Sequence, residues 1–430
     1  MPDSPEFDLI VIGGGATGFF TAITCAEFAP QARALILEKS SKVLGKVKIS
    51  GGGRCNVTHA CFDPRELTTF YPRGSKQLIG PFHRWGPTET MDWFESQDVP
   101  LKIEIDNRVF PRSDDSQSVI DCFMERAKTS GVAVRTGTAV TDALKRDDGL
   151  FEVGTGNGER IKSRCLALTT GGSRDAGGAG IAADFGHRLE PPAPSLFTFK
   201  IDDSRIAGLP GLSVGNASVR VAPPNDAVGL EASGPVLVTH WGLSGPGILR
   251  VSAWGARALQ RLGYRFEIAV DWSGGDGRID PVVEAYERLR SDSPKRAIVN
   301  DPQFDIPSRL WRSLVEAGLR EAGKSTEAIA ELRWPHLSRE AGLCLARQVA
   351  DCRLRVNGKS MNKEEFVTCG GVDLDEVNFR TMESRVTPGL FFAGELLDID
   401  GITGGFNFQA AWTTGRIAGE AIADCIHNRS

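Results

Sequence analysis

The sequence predicts an α/β protein in which one nucleotide-binding domain is built from both ends of the chain and a β-plus-α domain is inserted between them. Three observations predict this. A strand–glycine turn–helix–strand unit opens the chain over residues 7–38. An apolar strand ending on Gly-Glu returns at 390–395. Between them the composition breaks at Pro191-Pro192-Ala193-Pro194, which divides 1–194 from the insert.

The opening unit runs from the apolar strand Phe7-Asp8-Leu9-Ile10-Val11-Ile12 into Gly13-Gly14-Gly15-Ala16-Thr17-Gly18, then a helical stretch, then the strand Ala34-Leu35-Ile36-Leu37, followed by Glu38. The glycines follow G-x-G-x-x-G. Gly13 permits a tight turn, Gly15 lets backbone approach a pyrophosphate, and Gly18 lets the helix pack close to the strand. The positive N-terminus of the helix suits the pyrophosphate. Glu38 suits the ribose hydroxyls. This is a Rossmann-type unit, and both NAD and FAD carry the ADP it recognises.

Helices are expected near 87–97 and 116–130, and strands at 132–140, 150–153 and 164–169. The last strand leads into Thr170-Gly171-Gly172. The stretch Gly178–Ala183 imitates a second fingerprint but follows that turn rather than a strand, so it reads as a loop. In 195–275, short β segments are expected at 196–201, 218–222 and 235–239. Helical spacing dominates 280–350. Strands return at 365–368 and 390–393, and a last helix runs from about 408 to 426. The division is therefore 1–194 with 355–430 for the nucleotide domain and 195–354 for the insert.

Composition bounds the function. The chain has 430 residues, 50 Lys and Arg against 55 Asp and Glu, and a formal net charge of −5. That is not the coating of basic residues expected of a general nucleic-acid binder. Nine cysteines without a C-x-x-C pair and six dispersed histidines suggest neither a disulfide framework nor a metal site. No run is long and apolar enough to span a bilayer, and the polar start Met1–Glu6 is unlike a secretory signal. A cytoplasmic protein is expected.

The C-terminal segment favours FAD. The strand Leu390-Phe391-Phe392-Ala393 ends on Gly394-Glu395, which would set a carboxylate and backbone amides beside pyrophosphate and ribityl. Asp400–Ala411 then turns through Gly404, Gly405, Phe406 and Asn407 into the last helix, with Gln409 and Ala410 in its first turn. The helix N-terminus there would stabilise negative charge on a reduced flavin. A third element, Gly45-Lys46 to Ser50-Gly51-Gly52-Gly53-Arg54-Cys55-Asn56, places three glycines after an expected short strand, suited to a flat ring. Arg54 and Asn56 would supply donors. Cys55 is a candidate proton donor, the alternative being a small buried residue. His240, in Thr239–Pro246, is a second catalytic candidate. Arg108 and Arg112 flank Val109-Phe110-Pro111 and are candidates for an anionic substrate.

The segments Lys48–Thr58, Arg108–Asp114, Thr239–Pro246, Thr368–Val372 and Ala393–Thr413 together resemble the BaiN/RdsA (YhiN-like) family of flavoproteins, from one end of the chain to the other. The resemblance implies an FAD domain of the glutathione-reductase type with an inserted β-barrel and helical unit. It implies FAD contacts from Gly13, Gly15, Ala16, Thr17, Gly18, Glu38 and Lys39, and from Gly45, Lys46 and Ser50 through Asn56. Val140, Thr170, Gly171, Gly394, Glu395 and the residues from Gly405 to Ala410 named above complete the set. One segment departs from the family pattern. Here Thr170-Gly171-Gly172 is followed by Ser173-Arg174-Asp175-Ala176-Gly177-Gly178 in place of a longer stretch with Gly-Ser-Thr-Gly-Asp-Gly, so that loop's roles are not carried over.

Members of the group are associated with reduction of uracil to dihydrouridine in ribosomal RNA and with enone reduction in steroid metabolism. The resemblance therefore implies an FAD-dependent oxidoreductase that reduces a conjugated C=C bond, with NAD(P)H as a transient donor and a small molecule or an rRNA uridine as substrate. One alternative is an FAD oxidase of a small amine that yields hydrogen peroxide. Another is a non-catalytic flavin protein docking on rRNA or the ribosome, for which Arg250, Arg257, Arg261 and Arg265 are noted, although acids are interleaved among basic residues in that region.

Overall fold

The computed structural model describes residues 6–172, 176–222, 229–360 and 367–427. They fall into two compact units, residues 1–194 with 363–430 and residues 195–362. The first crossing coincides with the end of the proline run. The second lies beyond the expected 354/355, because Cys352–Val356 pairs with Phe266–Asp271 and belongs to the insert's sheet.

In the first unit Phe7–Ile12 lies between Ala34–Leu37 and Arg160–Leu168, parallel to both. Ala133–Arg135 continues the parallel sheet beyond Ala34–Leu37, and Leu390–Phe392 beyond Arg160–Leu168. The C-terminal strand thus enters the sheet that the N-terminus starts. Leu9, Ile10 and Val11 are fully buried, as continuous apolar runs are when both faces of a parallel sheet are covered. The helices Ala16–Phe28 and Phe406–His427 pack closely, because a Cβ on Gly419 would lie 2.6 Å from the Thr21 carbonyl oxygen. Phe20, Trp93, Phe123 and Trp412 fill the adjoining core with edge and stacked contacts.

An antiparallel hairpin, Val140–Lys145 and Phe151–Thr155, leads into Arg160–Leu168. A small sheet of Thr58–His59, Arg108–Pro111 and Leu101–Ile103 stands apart from the main one. The proline run is itself a strand, Leu189–Pro194, antiparallel to Thr368–Val372 with an irregularity between Glu190 and Ala193, where Pro191 and Pro192 have no N–H to donate.

Two local expectations are corrected. Gly45–Gly53 is helical, with Ser50, Gly51 and Gly52 breaking the helix, where a short strand was expected before the glycines. Ala176–Asp184 is a helix, where a loop was expected. Its glycine content permits close packing: a Cβ on Gly178 would fall 2.0 Å from Thr170 Oγ1. The altered residues Ser173–Asp175 lie outside the described ones, as do Glu365 and Phe366 of the expected strand.

The second unit carries a seven-stranded antiparallel sheet. It closes on itself through one bent stretch. Cys352–Val356 pairs with Phe266–Asp271, Gly358–Ser360 pairs with Thr198–Lys200, and Asn357 N donates to Lys200 O between them. This is the expected barrel. Helices Asp280–Asp292, Ser308–Glu321 and Arg339–Ala350 share one core with it, around the buried Trp272, Trp311 and Trp334. No helix among the described residues is long and apolar enough to cross a membrane.

Candidate active site

The first turn is fixed by backbone crowding. Gly13 has φ +114°, and a Cβ there would lie 2.7 Å from the Thr169 carbonyl oxygen. A Cβ on Gly18 would fall 1.9 Å from the Gly13 oxygen. Thr169 Oγ1 donates to the carbonyls of Ile12 and Gly13 at 3.1 Å each, tying the turn to the neighbouring strand. Gly15 is different: no atom lies within 4 Å of its Cβ position. It precedes a 13-residue helix that has no side-chain cap, so the first N–H groups of that helix are available to an anion. Ala16 and Thr17 begin the helix.

Glu38 closes the same turn. Its Oε2 accepts from Gly14 N and its Oε1 from Ser40 N, both at 2.8 Å. Each oxygen keeps a further lone pair for a hydroxyl. Lys39 is exposed beside it. Thr138 N donates to the Glu38 carbonyl, and Val140 follows in the hairpin strand at half-exposure. At the end of Arg160–Leu168, Thr170 is exposed and Gly171 has φ +78°. Glu395 pairs with Lys46 and accepts from Thr368 N at 3.1 Å. A Cβ on Gly394 would meet Thr17 Oγ1 at 2.3 Å, so Gly394 sets strand-to-helix packing.

The second and third glycine turns are bound to each other. Gly51, Gly52 and Gly53 all have positive φ, at 58°, 69° and 88°. Nothing approaches the Cβ positions of Gly45, Gly52 or Gly53 within 4 Å. Asn56 is buried. With its amide set to satisfy both ends, the nitrogen donates to Thr58 O (3.0 Å) and Val109 O (3.2 Å), and the oxygen accepts from Gly405 N (2.9 Å). Thr58 Oγ1 donates to Gln409 Oε1 at 2.5 Å, and Trp412 Nε1 donates to Val57 O at 2.8 Å. Three hydrogen bonds therefore join residues 56–58 to residues 405–412. A Cβ on Gly405 would lie 2.4 Å from Thr58 O, so only glycine allows this approach.

Several of the expected ligand residues also make ties within the protein. Gln409 is fully buried and also donates to Thr90 Oγ1 and Thr413 Oγ1. Asn407 exchanges hydrogen bonds with the backbone of Gly401. Phe406 is buried in a stack with Phe70 and His59, its ring centroid 4.5 and 4.6 Å from theirs. Ala410 is buried. Arg54 turns to Glu104 Oε1 (2.6 Å) and Asp114 Oδ1 (3.4 Å) over the Phe110 ring, so its donors point to its own chain. Ser50 Oγ donates to Val47 O at 3.0 Å.

Cys55 is fully buried, and burial pushes its thiol up to about 12. It therefore offers neither an accessible sulfur nor a ready proton, and the expectation of a donor there is corrected. Arg108 pairs with Asp106 and Glu104, and Arg112 donates to Leu101 O. Arg108 is thereby held in an acidic neighbourhood, and Arg112, exposed, is tied to the chain through its Nε. His240 is exposed in the turn between strands Glu231–Thr239 and Gly242–Ser244 of the second unit.

His59, which was not singled out in the sequence, also borders the third glycine turn. It is half-buried, stacked on Phe406, and its Cδ2 lies 3.7 Å from the Cβ position of Gly404. Its place directly after Thr58 was the only signal. Among the described residues no group of three or more His, Cys, Asp or Glu side chains is arranged to hold a metal ion.

The family model for the HI0933-like protein Rossmann domain matches residues 7–421. A ribosomal RNA dihydrouridine synthase of Escherichia coli is 28% identical over 95% of this chain and 96% of that protein. A 3-dehydro-bile acid delta(4,6)-reductase of Clostridium scindens is 28% identical over 96% and 98%. In fold, the chain is similar to a 3-ketosteroid-delta4-(5alpha)-dehydrogenase of Rhodococcus jostii, with a TM-score of 0.51 at 13% identity over 98% of both chains. The chain belongs to the HI0933-like Rossmann-domain family.

Proposed function

We propose that the protein binds FAD across the three glycine turns and uses NAD(P)H to reduce a C=C bond conjugated to a carbonyl. The observation that carries this reading is the set of hydrogen bonds joining residues 56–58 to residues 405–412. It brings the glycines suited to a flat ring up to the N-terminus of a 22-residue helix.

The residues fit the cofactor. The empty Cβ positions of Gly15, Gly45, Gly52 and Gly53 leave room that any side chain would fill. Gly15 and the N–H groups behind it hold the pyrophosphate, Glu38 holds the ribose, and Gly52 and Gly53 admit the ring. Bound FAD supplies the two-electron chemistry. The N-terminus of Phe406–His427 stabilises negative charge at the site. His59, half-exposed beside Gly404, holds the proton delivered to the substrate.

The names of the two relatives, a dihydrouridine synthase and a bile acid delta(4,6)-reductase, support the bond type. The test is anaerobic. Bound flavin is reduced with NADPH, then a uridine-containing rRNA fragment or a small enone is added separately. The expected outcome is return of the oxidised spectrum with formation of the saturated product. Reoxidation by the RNA names a uracil ring as substrate, and reoxidation by the enone names a free small molecule. Reoxidation by neither, or flavin reduction by an amine followed by peroxide release in air, overturns the reading.

A further inference from the structure

Two cysteines far apart in sequence meet in the first unit. Cys165 lies within the strand Arg160–Leu168, opposite Leu9 of the first strand, and is fully buried. Cys425 lies in the last turn of the helix Phe406–His427 and is partly exposed. Their sulfur atoms are 3.7 Å apart. A disulfide holds its sulfurs at about 2.05 Å, so bonding needs a closure of roughly 1.7 Å by the same estimate. Side-chain rotation in the last turn of a helix can supply it, since helix ends fray most readily.

A third thiol, Cys25, is close enough to be influenced by Cys425. It is buried, and burial, followed by Asp8 and Cys425, pushes it up to about 12. Cys165 is equally buried, and geometry separates the two: the Cys165 sulfur is the one that lies 3.7 Å from that of Cys425.

We propose that Cys165 and Cys425 form a reversible, peroxide-sensitive disulfide that fastens the end of the C-terminal helix to the central sheet. Hydrogen peroxide is the oxidant. The Cys425 thiolate attacks one peroxide oxygen, the S–O bond forms, the O–O bond breaks, and water leaves after protonation. The Cys165 thiol then attacks the Cys425 sulfur, losing its proton as the bond forms. The S–S bond forms, the S–O bond breaks, and the departing hydroxide leaves as water with the proton Cys165 has lost. Two thiols and one peroxide give one disulfide and two waters, and a dithiol reductant reverses the reaction. The bond closes a long loop of chain, which restricts the unfolded state.

The full-length protein is freed of reductant, treated with stoichiometric hydrogen peroxide, unfolded, alkylated and digested without reduction. The expected result is a linked pair of peptides carrying Cys165 and Cys425, lighter by two hydrogen atoms than the separate thiols. The unfolding midpoint should rise on oxidation and fall back with reductant. Cys425→Ala should abolish both the link and the shift, and Cys25→Ala should keep them. Full alkylation of Cys165 and Cys425 after peroxide overturns the proposal. So does a link from Cys425 to Cys25, or a linked pair in the wild-type protein without any change in the midpoint. Peptide mapping of the wild-type chain decides the matter even where a variant fails to fold.

Discussion

Within the first turn and within residues 51–53 the glycines do two different kinds of work, although the sequence writes them alike, and Gly51 is itself crowded, its Cβ position 2.8 Å from the Phe110 ring. Gly13 and Gly18 are pressed against backbone, with Cβ positions 2.7 and 1.9 Å from carbonyl oxygens, whereas Gly15, Gly52 and Gly53 face open space. Gly405 belongs with the first group, at 2.4 Å from Thr58 O. The first group holds the chain together, and the second leaves room for something that is not chain. A repeated glycine is thus two instructions, separable by asking what a methyl group would strike.

The largest effect should come from adding that methyl where it strikes backbone. Gly18→Ala puts a carbon inside contact distance of the Gly13 oxygen, and a helix and a strand must separate to admit it. We expect a loss of about 3 kcal/mol in stability, read as a lower denaturation midpoint with little folded protein at 37 °C. Unchanged stability would show that the crowding relaxes and that the contrast between the two groups is false.

Asn56→Ala tests the tie between two turns. It removes the amide that serves Gly405 N and the carbonyls of Thr58 and Val109, leaving buried groups without partners. A cost of about 2–3 kcal/mol is expected. Flavin should also be lost more readily on dilution, measured by filtration. An asparagine that only filled space would be matched by Leu, so Asn56→Leu should be no better than Asn56→Ala.

Gly15→Ala separates binding from folding. Gly15 has φ −90°, which alanine adopts freely, and its Cβ position is open. Stability of the apoprotein should change by less than about 0.5 kcal/mol. Flavin affinity should fall about tenfold, or about 1.4 kcal/mol, measured by titration of apoprotein with FAD. Equal affinity would mean that the pyrophosphate does not come near Gly15.

Part of this was legible in the sequence. The spacing from Gly13 to Glu38 and the strand ending in Gly394-Glu395 are local patterns, and the structure puts both at the ends of adjoining parallel strands or in the turns just beyond them. The β-plus-α character of the insert follows from short β segments and helical spacing, whereas closure of its strands into a barrel was implied only by the family resemblance. What could not be read was the partner of each polar group. Nothing near Asn56, Gln409 or Arg54 in sequence says that their bonds go to Gly405, Thr90 and Glu104. Glycine-rich stretches misled in two places. The strand expected before Gly51 is a helix that stops where Ser50, Gly51 and Gly52 leave helical angles, and Gly178–Ala183, read as a loop because no strand precedes it, lies in a helix whose Gly178 packs against Thr170.

The smallest effect is the most discriminating one for catalysis. Cys55 stands next to Arg54 and Asn56 after the three glycines, which made it a candidate donor, yet its thiol is wholly buried and held up to about 12 by that burial. Its φ of +61° strains alanine and cysteine alike, so Cys55→Ala changes only volume and sulfur. A small void should cost about 1 kcal/mol of stability, while the rate of product formation from NADPH-reduced enzyme stays within twofold. His59→Gln should behave in the opposite way, keeping flavin and fold but slowing product formation about a hundredfold or more. If the two variants exchanged these outcomes, the proton would come from the buried thiol. The ring stacked on Phe406 would then be packing alone, and the division between residues that build the turns and residues that face the substrate would have to be redrawn at this position.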